Sequence, residues 1–103
     1  MRPIHLARLD KTRPVVVLTR ESIRPYLNKV TVAAITSTAR NATTEVRVGP
    51  ENGLDHESAV SCDNIDTIAV ADLGQQIGFL LDSQEDALVA AIHAAFDLDA
   101  FDR

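Results

Sequence analysis

Residues Arg13–Arg20 read RPVVVLTR, and Val30–Thr36 read VTVAAIT. The first holds an unbroken β-branched and aliphatic run, Val15–Leu18, the pattern of a strand buried on both faces. Pro14 stands at its start, where a residue without an N–H disturbs a ladder least. The second stretch is again largely apolar. Between them, Glu21–Asn28 reads ESIRPYLN, and Pro25 forbids a continuous helix there. A loop with one helical turn is expected. No helical crossovers fit between strands, so most pairing must be antiparallel.

The same reading extends outward in both directions. Pro3–Leu9 (PIHLARL) alternates and predicts a short edge strand, with Pro3 at its first position. Asp10-Lys11-Thr12 is a short polar connection. Ser37–Thr43 is a polar loop of small residues and one base. In Thr44–Val48, Val46 and Val48 should point inward, Glu45 and Arg47 outward. Gly49–Asp55 (GPENGLD) is turn chemistry, Gly-Pro followed by Asn-Gly. Strands are expected over Ala59–Cys62, Ile65–Val70 and, after Gly74, Ile77–Leu81. Then the period changes. Leu88, Ala91, Ile92 and Ala95 fall at i, i+3, i+4 and i+7, one face of a helix. Ser83 ahead of them, with acids in the first turn, reads as a helix start, and Phe96 and Leu98 extend its apolar end.

The fold class is therefore mainly β with a C-terminal helix: five or six short strands in a small twisted sheet closing as a partial barrel, one opening covered by the helix. The 103 residues, without repeats or linker, suit a single domain over 1–103. No stretch approaches the ~20 apolar residues of a membrane span. The charged N-terminus lacks the apolar segment of a secretory signal. A single cysteine, Cys62, permits no intrachain disulfide. These features predict a reduced, soluble, cytoplasmic protein.

The net charge of −5 hides an asymmetry. Residues 1–47 carry nine Lys/Arg against three acids (+6), while residues 48–103 carry twelve acids against Arg103 alone (−11). Phosphate binding needs a basic surface rather than a basic protein, so a nucleic-acid partner stays open. So does ordinary pairing of opposite charges within the fold.

Several chemistries lack their residues. The four glycines fit neither a dinucleotide loop nor a P-loop. His5, His56 and His93 are scattered, and one cysteine does not make a zinc site, so no metal or cofactor is expected. No nucleophile elbow occurs. His93 and His56 read as surface residues, and His5 as the histidine with some chance of standing near a site. Cys62 reads as a small buried hydrophobe. What remains is polar residues at the ends of buried strands. Arg13, rigidly anchored ahead of PVVVL, is a cationic fork suited to a phosphate. Thr36 ends its strand, with Ser37 and Thr38 next. Asp63 and Asn64 follow AVSC. Arg13 pairing with an acid, and Thr36 satisfying a turn, are the ordinary alternatives.

Taken together, RPVVVLTR, VAAITST, ESAVSCDNIDTI and DLGQQIGFLLDSQEDALVAAIHAAFDL resemble the MazF/PemK family of toxin–antitoxin ribonucleases. The likeness runs from Arg13 to Leu98 with order and spacing kept. It implies the SH3-like partial barrel of the MazF/PemK/CcdB type. It also implies a metal-independent, sequence-specific endoribonuclease that cleaves single-stranded RNA, mRNA above all. The family's catalytic Arg and Thr fall on Arg13 and Thr36, and the acid of the PemK Cys-Asp pair on Asp63. Where that branch has Arg before the Cys, this chain has Ser61. The family's longer loop between the first two strands is reduced to Asp10-Lys11-Thr12.

The resemblance further implies a homodimer sharing an RNA groove, a MazE-like antitoxin with an acidic tail, and no membrane association. Cleavage would proceed by 2′-OH attack, leaving a 2′,3′-cyclic phosphate and a 5′-OH. Ser37, Arg40 and Asn64 are the residues expected to contact RNA. Tyr26, Phe79, Phe96 and Phe101 are mostly core-like in pattern, so base stacking should be limited. Two other outcomes fit the same fold: a CcdB-like toxin that binds DNA gyrase without enzymatic activity, and a catalytically weak member that only binds RNA or antitoxin.

Overall fold

The computed structural model describes residues 2–98. Phe101 lies outside them. Strands β1 (Pro3–Arg8), β2 (Thr12–Val17), β3 (Lys29–Thr36), β4 (Glu45–Val48), β5 (Ser58–Ala69) and β6 (Leu73–Phe79) precede helix α1 (Asp82–Phe96). The strands form one sheet in the order β4-β5-β3-β2-β1-β6. Every pairing is antiparallel. A single 3₁₀ turn over Arg24–Tyr26, opened by Pro25, stands where the sequence predicts a helical turn.

The apolar run in β2 is buried on both faces. Val16 packs with Ile4, Ala33, Ile35, Val46, Val48, Val60, Cys62 and Leu80. Val15 and Val17, on the opposite face, pack with Ala7, Val30, Val32 and Ile68. Each such side chain removed from water contributes about 1.5–3 kcal/mol, so β2 anchors both halves of the core. Helix α1 lays Leu88 and Ala91 into the larger cluster, with Ile92 and Ala95 beside them. Leu54 and Ile77 pack against that cluster from the loop after β4 and from β6. That loop also meets β6 backbone to backbone. Gly53 takes φ +88°, and a side chain there would collide with the Ile77 carbonyl. One at Gly78 would collide with the Asn52 carbonyl. The two edges of the sheet thus curl toward each other as a partial barrel.

Five local expectations are corrected. β1 is not an edge strand, because it lies between β2 and β6. The edges are β4 and β6. The stretches 59–62 and 65–70 are one twelve-residue strand. Its register with β3 slips between Ala33↔Ile65 and Ala34↔Ser61, so Cys62, Asp63 and Asn64 form a bulge. β6 starts at Leu73, which pairs with Ala7, and runs through Gly74, whose carbonyl lies 2.9 Å from His5 Nδ1. Ser83 does not cap α1. Gln84 does, its Oε1 accepting from the Leu81 N–H at 2.9 Å. Phe79, Phe96 and Leu98 are exposed (44%, 54% and 41%) rather than core, and Tyr26 is 84% exposed. α1 turns one stripe inward and Phe96 falls outside it, while Leu98 lies beyond the helix end.

Candidate functional site

The register of β2 on β3 pairs Val17 with Val32 and Val15 with Ala34. Continued by two residues, it sets Arg13 opposite Thr36 at the same end of the sheet. The neighbouring strand β5 bulges at that end, and the bulge carries Asp63 and Asn64. Bulges re-aim side chains out of a ladder and recur next to active sites. Arg13 consequently stands between two cavities. One, of about 520 Å³, is lined by Arg13, Thr36, Ser37 and Thr38 together with Lys11, Leu54 and His56. The other, of about 440 Å³, is lined by Arg13, Asp10, Asp63, Asn64 and Asp66. Five of the six residues expected from sequence therefore line a cavity that Arg13 shares. Arg40 lines neither. It is exposed in the β3–β4 loop, and its backbone N–H donates to Glu45 Oε1 at 2.9 Å.

The guanidinium of Arg13 is held by the carboxylate of Asp10. Nε donates to Oδ1 at 2.9 Å and Nη2 to Oδ2 at 3.0 Å, a parallel two-point pairing across the β1–β2 turn. Hydrogen bonding to Arg13 brings the Asp10 carboxyl down to about 2. The same bond raises Arg13 above its ordinary value. Asp10 is thus a permanent carboxylate at neutral pH and Arg13 a permanent cation. Two of the five guanidinium N–H donors are committed and three remain for oxygens of a ligand. Pairing of Arg13 with an acid, the ordinary alternative the sequence offers, is what the structure shows, and the acid is Asp10, which the sequence reads only as part of a connection. The signal was available: an acid three residues before the arginine, across a turn too short to let them part.

Thr36 Oγ1 accepts the Thr38 N–H at 3.1 Å. This closes a small hydroxyl turn and leaves the Thr36 hydroxyl proton free to donate. Asp63 Oδ2 accepts from Thr44 Oγ1 at 2.7 Å, which leaves Oδ1 open. Asn64 Nδ2 reaches Ser61 Oγ at 3.4 Å. Cys62 is buried, and burial first, then the charge of Asp63, pushes its thiol up to about 11. It remains a neutral hydrophobe at pH 7, as its apolar neighbours predict. His5 serves no site here. Its Nδ1 lies 2.9 Å from the Gly74 carbonyl and ties β1 to β6. His93 is exposed on α1, and His56 is exposed at the rim of the larger cavity. The wall at Gly53–His56, brought to the site by the β4–β5 connection, carries no motif that sequence could have flagged.

A fixed cationic fork, a free hydroxyl donor and a carboxylate around two nucleotide-sized clefts can bind a phosphodiester and move one proton. Residues 4–96 match the model of the PemK-like, MazF-like toxin of type II toxin–antitoxin systems. The chain is 64% identical over 99 residues, 96% of each chain, to "Endoribonuclease MazF3" of Mycobacterium tuberculosis. The structure named "Mycobacterium tuberculosis toxin MazF-mt6" superposes with a TM-score of 0.92 at 62% identity, covering 93% of this chain and 97% of that one. A structure named "Endoribonuclease in complex with its cognate antitoxin from Mycobacterial species" shares the fold at a TM-score of 0.83 and 23% identity, covering 93% of this chain and 92% of that one.

Proposed function

The chain belongs to the PemK-like, MazF-like toxin family of type II toxin–antitoxin systems, and on that premise we propose that it is a growth-inhibiting endoribonuclease. Its substrate is single-stranded RNA, mRNA above all, cut at specific sequences. The ribose 2′-OH attacks the adjacent phosphorus and the bond to the 5′-oxygen breaks, leaving a 2′,3′-cyclic phosphate and a 5′-OH. RNA supplies its own nucleophile, so the protein's task is to bind, orient and stabilise charge.

In this reading Arg13 offers its three uncommitted N–H donors to the phosphorane oxygens as their charge grows. Being protonated throughout, it cannot serve as a base. Thr36 donates its hydroxyl to a phosphate oxygen. Asp63 Oδ1 takes the proton of the 2′-OH, and water protonates the departing 5′-oxygen. Asp10 touches no substrate. It is a positioning residue that keeps the fork in place. Ser37 and Asn64 contact the bases on either side of the cut, and Arg40 contacts a backbone phosphate farther along the strand. The protein acts in the cytoplasm as a homodimer and is restrained by a MazE-like antitoxin. An acidic antitoxin tail suits the cationic ends presented by Lys11, Arg13 and Arg40.

The observation that carries the proposal is the place of Arg13 between two clefts, with Thr36 in one and Asp63 in the other. The test is incubation of the purified protein with a long single-stranded RNA in EDTA, beside Arg13→Ala. Discrete cuts with 5′-OH ends are expected, slowed about 10²–10³-fold in the variant, the usual cost of losing one preorganised charge-stabilising donor. A folded wild-type protein that leaves several long RNAs whole overturns the ribonuclease reading.

A further inference from the structure

The larger cavity continues past the reacting groups to the β4–β5 connection. Its far wall is Gly53, Leu54, Asp55 and His56, with Ile77 of β6 beside them. The chemistry at Arg13 requires none of these. Leu54 and Ile77 are partly buried against the larger core cluster, and the sides left over face the cavity as an apolar seat. About 520 Å³ falls within the ~300–1,000 Å³ of ordinary small-ligand sites. Among the described residues no Phe or Tyr lines it. A base held here lies on aliphatic surface, so fit and edge hydrogen bonds sort it rather than stacking.

The wall is also stiff. Asn52, 1% exposed, accepts the Gly49 N–H on Oδ1 at 3.0 Å. Its Nδ2 donates to the Phe79 carbonyl at 2.9 Å and to Gln84 Oε1 at 2.6 Å. Gly53 and Gly78 let this loop and β6 touch through their backbones. A wall ordered before binding loses little entropy on binding and keeps its geometry, which selection between similar bases requires.

Resting on the ribonuclease reading, we infer that Gly53–His56 is a specificity wall: Leu54 with Ile77 seats one nucleobase next to the cleaved phosphate, and Asp55 and His56 read its edge. Asp55 as a carboxylate only accepts hydrogen bonds, so it favours a base that carries an exocyclic amino group over uracil, whose single N3–H lies between two carbonyl oxygens that repel the carboxylate. The His56 ring adds a further hydrogen-bonding group at the rim.

The test uses the full chain and a pool of single-stranded RNAs randomised around one cut site, with wild type, Asp55→Asn and Leu54→Ala compared by end mapping and by initial rates. Wild type should prefer an amino-bearing base at one position adjoining the cut. Asp55→Asn should lower the discrimination against uracil there about tenfold and leave other positions alone. Leu54→Ala should relax the same position and raise KM more than it lowers kcat. If Leu54→Ala does not fold, the exposed Asp55 variant decides alone. Unchanged base preferences in the variants, or a uniform slowing across all sequences, overturn the wall while the ribonuclease reading stands. A wild type that cuts nothing in the pool overturns both.

Discussion

The guanidinium of Arg13 and the carboxylate of Asp10 meet at two points, with Nε–Oδ1 at 2.9 Å and Nη2–Oδ2 at 3.0 Å. Both residues sit where β1 turns into β2, and Arg13 continues into a strand whose next buried residues are Val15, Val16 and Val17. One end of the arginine is therefore fixed by core packing and the other by an ion pair. Exposed pairs of this kind add little to stability. Their effect here is on direction: the free edge of the fork is held toward the two clefts.

Asp10→Ala should consequently leave the melting temperature nearly unchanged and impair cleavage. A misplacement of ~1 Å at a reacting group can cost on the order of 10²-fold in rate. We expect kcat to fall about 10–100-fold with a much smaller change in KM. Asp10→Asn, which keeps one acceptor for the guanidinium, should recover part of the loss. Steady-state kinetics on a short RNA containing the mapped cut site measures the split. Equal effects on kcat and thermal stability would contradict a positioning role.

The same pair makes a statement about pH. The folded pKa of Asp10, about 2, lies below its ordinary 3.8. Its contribution to the folded state is therefore complete above ordinary carboxylate pH and fades as pH falls from 3.8 toward 2. Arg13, raised above its ordinary value, stays charged throughout that range. The pair is intact at every pH where RNA cleavage is assayed, so an acid limb in the rate profile belongs to another group. NMR titration of the Asp10 side-chain carboxyl should give a midpoint below the ordinary carboxylate range, moving back up in Arg13→Ala. A wild-type midpoint near 3.8 would show that the ion pair does not form in solution.

The wall opposite Thr36 depends on backbone contact. Gly78→Ala drives a Cβ into the Asn52 carbonyl oxygen, a backbone atom that cannot swing aside. Asn52→Ala instead removes the buried amide that holds the Gly49 N–H, the Phe79 carbonyl and Gln84. Leaving such partners unsatisfied costs about 1–3 kcal/mol, and we expect each variant to lose at least about 2 kcal/mol. Gly74→Ala is the comparison. Its Cβ would lie 3.1 Å from the Leu6 carbonyl oxygen, a clash that small shifts relieve, so its cost should be smaller. Urea unfolding of the three variants ranks them. A Gly78→Ala protein as stable as Gly74→Ala would mean that the loop and β6 are not in contact.

What could be read from the sequence was read through local periodicity. Val15–Leu18 is apolar without alternation and proved buried on both faces. Val46 and Val48 alternate with Glu45 and Arg47 and proved to turn inward. Leu88, Ala91, Ile92 and Ala95 share a helix face and proved to meet the core. Arg13 and Thr36 stood out because each borders a buried strand, and a polar residue at such a place has a fixed position to exploit.

The rest depended on contacts between residues far apart in the chain. Nothing in PIHLARL says that a second strand, β6, will pair on its open side and make β1 interior. The break read at Asp63-Asn64 became a bulge only because β3 continues its ladder on both sides of it. Arg13 and Asp63 are fifty positions apart, and the slip in register is what brings them to one cleft. Leu54 and His56 reach the other cleft, beside Thr36, because Asn52 and two glycines seat their loop on β6. Burial patterns are a property of each segment and survive in its order of residues. Which segments adjoin, and hence which polar groups face one another, is decided only when the sheet closes and the core selects its register.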